Sequence, residues 1–175
     1  GTSFVTGGQD NTLRLWNMES MTHVNTVMLN ASVTAIDWSK DGQFIVAGSE
    51  EGEILLFDKE LSVSHTLASS IAEEGMSIPD LKISPSMQYV AFGSSLGVSP
   101  IEILKIDGLR LESFKVIHCG ISSGLAHLDW SEESTHLVIN SQTEELRYLK
   151  IETESILSPE EDRAIEWYKW KLIRG

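Results

Sequence analysis

Residues 33–60 read VTAIDWSKDGQFIVAGSEEGEILLFDKE, and this stretch decides the fold. Ile36 and Trp38 alternate with polar neighbours ahead of the pair Asp41-Gly42, and Phe44, Val46 and Ala47 follow it, so two strands fold back on each other across a tight turn. Glu51-Gly52 supplies a second turn into Ile54–Phe57, ILLF. A helical period of 3.6 fits none of these windows well. The stretch therefore predicts a β-meander with one or both faces buried.

The same order returns twice. IPDLKISPSMQYVAFGSSLGVSPIEILKID from Ile78 and LAHLDWSEESTHLVINSQTEELRYLKIE from Leu125 align with it, placing Trp38, Ile83 and Trp130 in register at spacings of 45 and 47 residues. A period of roughly 40–45 residues marks the blades of a β-propeller, each a four-stranded antiparallel sheet. FVTGGQDNTLRLWNMES at the start matches only the second half of a copy. ILSPEEDRAIEWYKWKLIRG at the end reads as a connecting strand and loop, then the opening strand of a further copy. The expected organisation is a partial propeller over residues 1–175: the end of a blade at 1–29, blades at 30–74, 75–120 and 121–157, and the start of another at 158–175. Propellers hold roughly 4–8 blades. The fold class expected is all-β, about four blades in an open arc, each leaning on its neighbours.

GGQDNTLRLWN resembles the blade ending of the WD40 family, in which an aspartate in a tight turn precedes a threonine, a short strand and a tryptophan. Asp10 and Trp16 carry that match. The later copies depart from the family's polar side-chain network, because Glu51 stands where Asp10 does, while Phe57 and Leu149 replace Trp16. Those blades are expected to rely on apolar packing, with Asp10, Trp16, Trp38, Phe57, Asp129 and Trp130 as structural blade positions.

A narrower resemblance lies in Ile121–Glu152, which is similar to a blade of the EMAP-like (echinoderm microtubule-associated protein-like) family. Gly120, Ser122, Ser123, His127, Leu128, Asp129, Trp130 and Ser131 match its Gly-His-Ser-Ser start and T-H-L-D-W-S strand, although Ile121 breaks the Gly-His pair and the Y-W-D ending reads Tyr148-Leu149-Lys150. AIEWYKWKLIRG is similar to the family's D-I-D-W strand, through Ile165, Trp167, Trp170 and Gly175. The segment Ser94 to Pro100 looks longer than the family's turn. The resemblance implies part of the second of two tandem propellers, in a cytoplasmic, cytoskeleton-associated protein whose N-terminal region oligomerises and engages microtubules.

Charge limits what this segment does alone. Thirteen Lys and Arg against 26 Asp and Glu give a net charge of −13, which repels nucleic acid and anionic membrane surfaces. Neither is expected as a partner. No run approaches the roughly 20 apolar residues of a membrane span, and the N-terminus lacks a signal core, so a soluble, intracellular chain is expected. An acidic segment is also a poor candidate for gripping an acidic microtubule by itself, which leaves tubulin binding to the parent protein or to a local surface.

Chemistry is sparse. Cys119 is the single cysteine and reads as a buried or half-buried, reduced thiol. The histidines at 23, 65, 118, 127 and 136 form no H-E-x-x-H or other catalytic spacing. Glu50, Glu51 and Glu53 crowd one turn without the pattern of a calcium loop, so a solvated acidic turn is expected. Ser158-Pro159 with Glu161 fits a helix start, a phosphorylation site or an inter-blade loop, and the loop fits the remaining length best. No catalytic residue, cofactor or metal is assigned. Trp16, Trp38 and Trp130 recur at repeat positions and are expected in the core, whereas Trp167, Tyr168 and Trp170 are expected as an exposed, adhesive patch. The expected function is a non-catalytic scaffold that binds proteins, with neighbouring blades, tubulin or microtubules as partners. An adaptor of a ciliary or trafficking complex is the alternative, and an enzyme with a pocket on a propeller face the third.

Overall fold

A computed structural model describes residues 2–68, 76–98, 100–158 and 165–168. Among the described residues, fifteen strands form four antiparallel sheets in chain order. The first holds β1 (Ser3–Gly7), β2 (Thr12–Asn17) and β3 (His23–Met28). The second holds β4 (Val33–Trp38), β5 (Phe44–Ser49), β6 (Glu53–Asp58) and β7 (Val63–Ala68). The third holds β8 (Leu81–Ile83), β9 (Tyr89–Gly93), β10 (Ile101–Asp107) and β11 (Arg110–Ile117). The fourth holds β12 (Leu125–Trp130), β13 (His136–Ser141), β14 (Leu146–Lys150) and β15 (Ser155–Ile156). Each is a simple meander, and this is the all-β propeller arrangement.

The core lies between sheets rather than inside one. Leu13 and Leu15 of the first sheet meet Val33, Ile45, Leu55 and Phe57 of the second. Val46, Ile54 and Leu56 meet Ile78, Leu81, Val90, Phe92 and Leu104 across the next gap. Ile101, Ile103 and Ile117 meet Leu125, Trp130, Leu137 and Leu149 across the last. Middle strands must then be apolar on both faces, which is why FIVAG, ILLF and YVAFG are nearly unbroken. Each fully buried Phe or Leu contributes about 1.5–3 kcal/mol. The outer strands face water along one side and read as mixed, as in the exposed-dominated β3. Among the described residues these three interfaces string the sheets into an open arc.

Two local devices repeat. Ser39, Ser84 and Ser131 directly follow the first strand of their sheets, and each side-chain Oγ accepts a backbone N–H, from Phe44, Tyr89 and His136, at 3.0 Å. The fourth residue of each turn is left-handed: Gly42 at φ 72°, Met87 at 60° and Ser134 at 61°. The turn read from Asp41-Gly42 thus recurs where no glycine marks it. Second, the residues at which one sheet opens toward the next bond alike, with Val33, Ile78 and Leu125 donating their N–H groups to the carbonyls of Gly8, Ser49 and Ser94 at 3.2, 3.1 and 2.8 Å.

Close approach of the sheets requires glycine at one register position. A Cβ on Gly48 would stand 2.8 Å from Ile78 Cγ2 and 2.9 Å from Ile78 Cβ. Gly7 meets Val33 in the equivalent way.

Candidate interaction surfaces

Trp16, Phe57, Leu104 and Leu149 occupy one position in the four sheets, paired with Phe4, Ile45, Val90 and Leu137. Phe57, Leu104 and Leu149 are wholly buried. Trp16 is half-buried, because its side of the first sheet turns away from the second. There its ring stacks on Phe4 at 6.1 Å and takes His23 edge-on at 5.5 Å, while its Nε1 donates to Thr6 Oγ1 at 3.0 Å. Trp38, also expected in the core, is half-buried against the first interface. Trp130 is fully enclosed.

The remaining blade positions are polar. Asp10 is exposed and accepts from Thr12 N, Thr12 Oγ1 and Arg14. The Thr12 hydroxyl, followed by the Arg14 bond, holds its carboxyl below the usual range. Asp129 is buried and accepts from Trp130 N at 2.9 Å. The turns β1–β2 with Asp10, β5–β6 with Glu50 and Glu51, and β13–β14 with Glu144 and Glu145 are all acidic. Glu145 anchors there by accepting from Ser122 N and Oγ at 2.6 and 3.0 Å, and those bonds lower its pKa. Among the described residues no group of His, Cys, Asp and Glu could hold a metal.

Sequence reading missed the polar link between first strands. Asp37 Oδ2 accepts from Ile83 N at 2.8 Å, and Asp80 Oδ2 accepts from Leu128 N at 3.1 Å, so each carboxylate stitches one sheet to the next. Asp80 also holds Lys82 and lies 3.5 Å from His127 Nδ1. The signal was present but displaced. Asp80 aligns with Ala35 and His127, not with Asp37 and Asp129, so the copies compared column by column hide it. His127 therefore stands beside a carboxylate that already serves packing.

An opening of about 650 Å³ lies between the third and fourth sheets, lined by Tyr89, Phe114, Lys115, His136, Lys150 and Glu152 among others. A β-bulge puts Phe114 out of register in β11, leaving it 43% exposed with its ring 5.0 Å from Tyr89. Burial lowers the His136 pKa, assisted by Lys150. Apolar rings beside charges of both signs make a surface suited to polypeptide contact.

The aromatic patch expected near the end is packed against the chain itself. Trp167 and Tyr168 are half-buried rather than exposed. Trp167 bridges to Ser131, with its ring 5.5 Å from Tyr148. Tyr168 N donates to Trp130 O at 2.9 Å, and Lys40 Nζ lies 5.1 Å from the Tyr168 ring centre. Trp170 lies outside the described residues, as do Pro159 and Glu161.

A family model described as the echinoderm microtubule-associated protein second beta-propeller matches residues 1–175. The chain is 28% identical over 174 residues to echinoderm microtubule-associated protein-like 2 of Mus musculus, covering 98% of this chain and 26% of that protein. It is 30% identical over 174 residues to the 77 kDa echinoderm microtubule-associated protein of Lytechinus variegatus, with the same coverages of 98% and 26%. Against echinoderm microtubule-associated protein-like 3 of Homo sapiens the identity is 27% over 175 residues, covering 98% of this chain and 19% of that one. The chain spans about a quarter or less of these relatives.

Proposed function

This chain belongs to the echinoderm microtubule-associated protein family, within its second β-propeller, and from that premise we propose that it is a non-catalytic scaffold for protein contacts in a cytoplasmic, cytoskeleton-associated protein that binds tubulin or microtubules. The observation that carries the proposal is the match to the second-propeller model along all 175 residues. The disposition of polar groups supports it. Asp37, Asp80 and Asp129 are engaged in backbone hydrogen bonds between or within sheets, and the groove between the third and fourth sheets holds mixed charge and aromatic rings.

A net charge of −13 sets the division of labour. Microtubule contact runs through basic surfaces elsewhere in the protein or through a local patch, and this segment supplies rigid form and surfaces for other polypeptides. Sedimentation of the full-length protein and of residues 1–175 with polymerised microtubules, and binding of each to free tubulin, test the proposal. The full-length protein is expected in the pellet, with the 175 residues alone left in the supernatant. If the full-length protein binds neither microtubules nor tubulin, the microtubule part of the proposal is lost and the propeller assignment stands.

A further inference from the structure

Leu96 and Val98 are 50% and 70% exposed, and they sit in the connection between β9 and β10. That connection is seven residues long, 94–100, where β5–β6 uses three and β1–β2 and β13–β14 use four. Its base is pinned from both sides. Ser95 N donates to Ser77 O at 3.0 Å and the two serine hydroxyls meet at 2.7 Å, while Gln142 Nε2 donates to Ser95 O at 2.9 Å. Gly124 passes so close that a Cβ there would fall 2.1 Å from the same carbonyl oxygen. Gly97 then turns at φ 69°. Two aliphatic side chains are thus held out into water from a fixed base, and a fixed base lowers the ordering cost of covering them. The three- and four-residue turns carry no aliphatic residue at all, so the length of 94–100 makes this surface.

The charge around the loop is one-sided. The described connections at this end of the sheets, 8–11, 29–32, 50–52, 76–80, 94–98, 118–124 and 142–145, contain neither Lys nor Arg. Of their acidic residues, Asp10, Asp80 and Glu145 lie within ion-pair reach of the strand residues Arg14, Lys82 and Arg147. Glu50, Glu51 and Glu144 are exposed and have no such cation among the described residues. Glu144 belongs to the turn that reaches Ser95 through Gln142, and Glu50 and Glu51 follow Ser49, whose carbonyl accepts from Ile78 N beside Ser77. Carboxylates therefore flank the aliphatic pair on two sides. At the opposite end, the turns after β4 and β6 carry Lys40 and Lys59 among their acids.

We infer that this end of the arc docks a segment of a separate protein in which an apolar residue is flanked by Lys or Arg. The apolar residue covers Leu96 and Val98, and the flanking cations face Glu50 and Glu51 on one side and Glu144 on the other, which fixes the register of the segment. A second copy of this chain, at a net charge of −13, is repelled by the surface, and so is the acidic exterior of a microtubule. The inference rests on the scaffold reading above and gives the chemistry of one partner.

Fluorescence anisotropy of the full-length protein with short labelled peptides tests the inference. The probe carries a leucine between two pairs of lysines in a Gly-Ser background, and the control peptides replace the leucine by serine or the lysines by glutamate. The leucine–lysine peptide is expected to bind, less tightly as salt rises. The Leu96→Ser/Val98→Ser protein should bind it about tenfold more weakly, and Glu51→Gln/Glu144→Gln should weaken it and flatten the salt dependence. Val24→Ser, at an exposed aliphatic on β3, should keep the parental affinity. No binding, equal binding of the serine peptide, or undiminished binding by the Leu96→Ser/Val98→Ser protein overturns the inference. Hydrogen exchange across 96–98 in the peptide-free protein is expected to be fast. Slow exchange there means that the same polypeptide already covers the loop or, where protection fades on dilution, that a second copy does, and either result overturns the separate partner. Microtubule pelleting enters neither readout, so this inference and the microtubule part of the proposed function fail separately.

Discussion

Replacing Gly48 by Ala adds one methyl group where two sheets touch. The backbone there is extended, so the substitution carries no conformational strain, and in an open strand it would add about 0.4–1 kcal/mol of stability by restricting the unfolded chain. The new Cβ would instead lie 2.8 Å from Ile78 Cγ2, 2.9 Å from Ile78 Cβ and 3.0 Å from Leu81 Cδ2. Ile78 Cβ is one bond from the backbone and cannot rotate away. The second and third sheets must separate by several tenths of an ångström along a gap whose residues are close to zero exposure. Overpacking of this kind costs about 1–3 kcal/mol, and the melting temperature should fall by roughly 2–4 °C for each kcal/mol in a domain of this size. Gly8→Ala is the control, since its Cβ meets only the exposed Asp10 Oδ1 at 3.3 Å. Ile78→Ala gives the decisive measurement. It removes Ile78 Cγ2, the nearest obstructing carbon, and leaves Cβ in place, so the double variant should lose less than the two single losses combined, with a coupling of about 0.5–3 kcal/mol. Thermal or urea unfolding of the four proteins reads this out. A Gly48→Ala protein as stable as its parent, or strictly additive costs, would refute the close-packed interface.

Two further outcomes follow from local chemistry. Glu144 is exposed and sits at φ 64° in the turn after β13, so Glu144→Gly is expected to raise stability by about 0.5–1 kcal/mol, seen as a higher urea midpoint with unchanged slope. The Ser122 bonds lower the Glu145 pKa in the folded state, so its contribution is present above the ordinary glutamate value of about 4.3 and is lost as pH falls through the folded value. Melting temperatures measured from pH 7 downward should therefore drop less steeply for Glu145→Gln than for the parent protein, and parallel curves would remove Glu145 as a pH-linked anchor.

The repeat was legible because each copy had to solve the same packing problem with its own residues. Trp38, Ile83 and Trp130 align at near-constant spacing, and the runs between them are apolar on both faces, which only a strand enclosed by sheets on either side requires. The substitution of Phe57 and Leu149 for tryptophan could be read in the same way. Less legible was the stitching between sheets. Asp37 and Asp80 each accept a backbone N–H from the following sheet, but they do so from different columns of the repeat. A hydrogen bond to a neighbouring backbone depends on where that backbone passes, and a side-chain pattern does not report it.

The same limit separates the tryptophans. Sequence alone determined the strand pattern, the turn positions, the acidic balance and the family resemblance, because these depend on residues near one another in the chain. Tertiary structure alone decided that Trp130 is enclosed, that Trp16 and Trp38 are half-exposed, and that Trp167 and Tyr168 fold back on Ser131, Tyr148 and Lys40. Burial belongs to the partner as much as to the residue. Among the described residues, the third sheet brings β8 against Trp130, whose indole N–H donates to the Lys82 carbonyl, and no strand stands in that place beside Trp38.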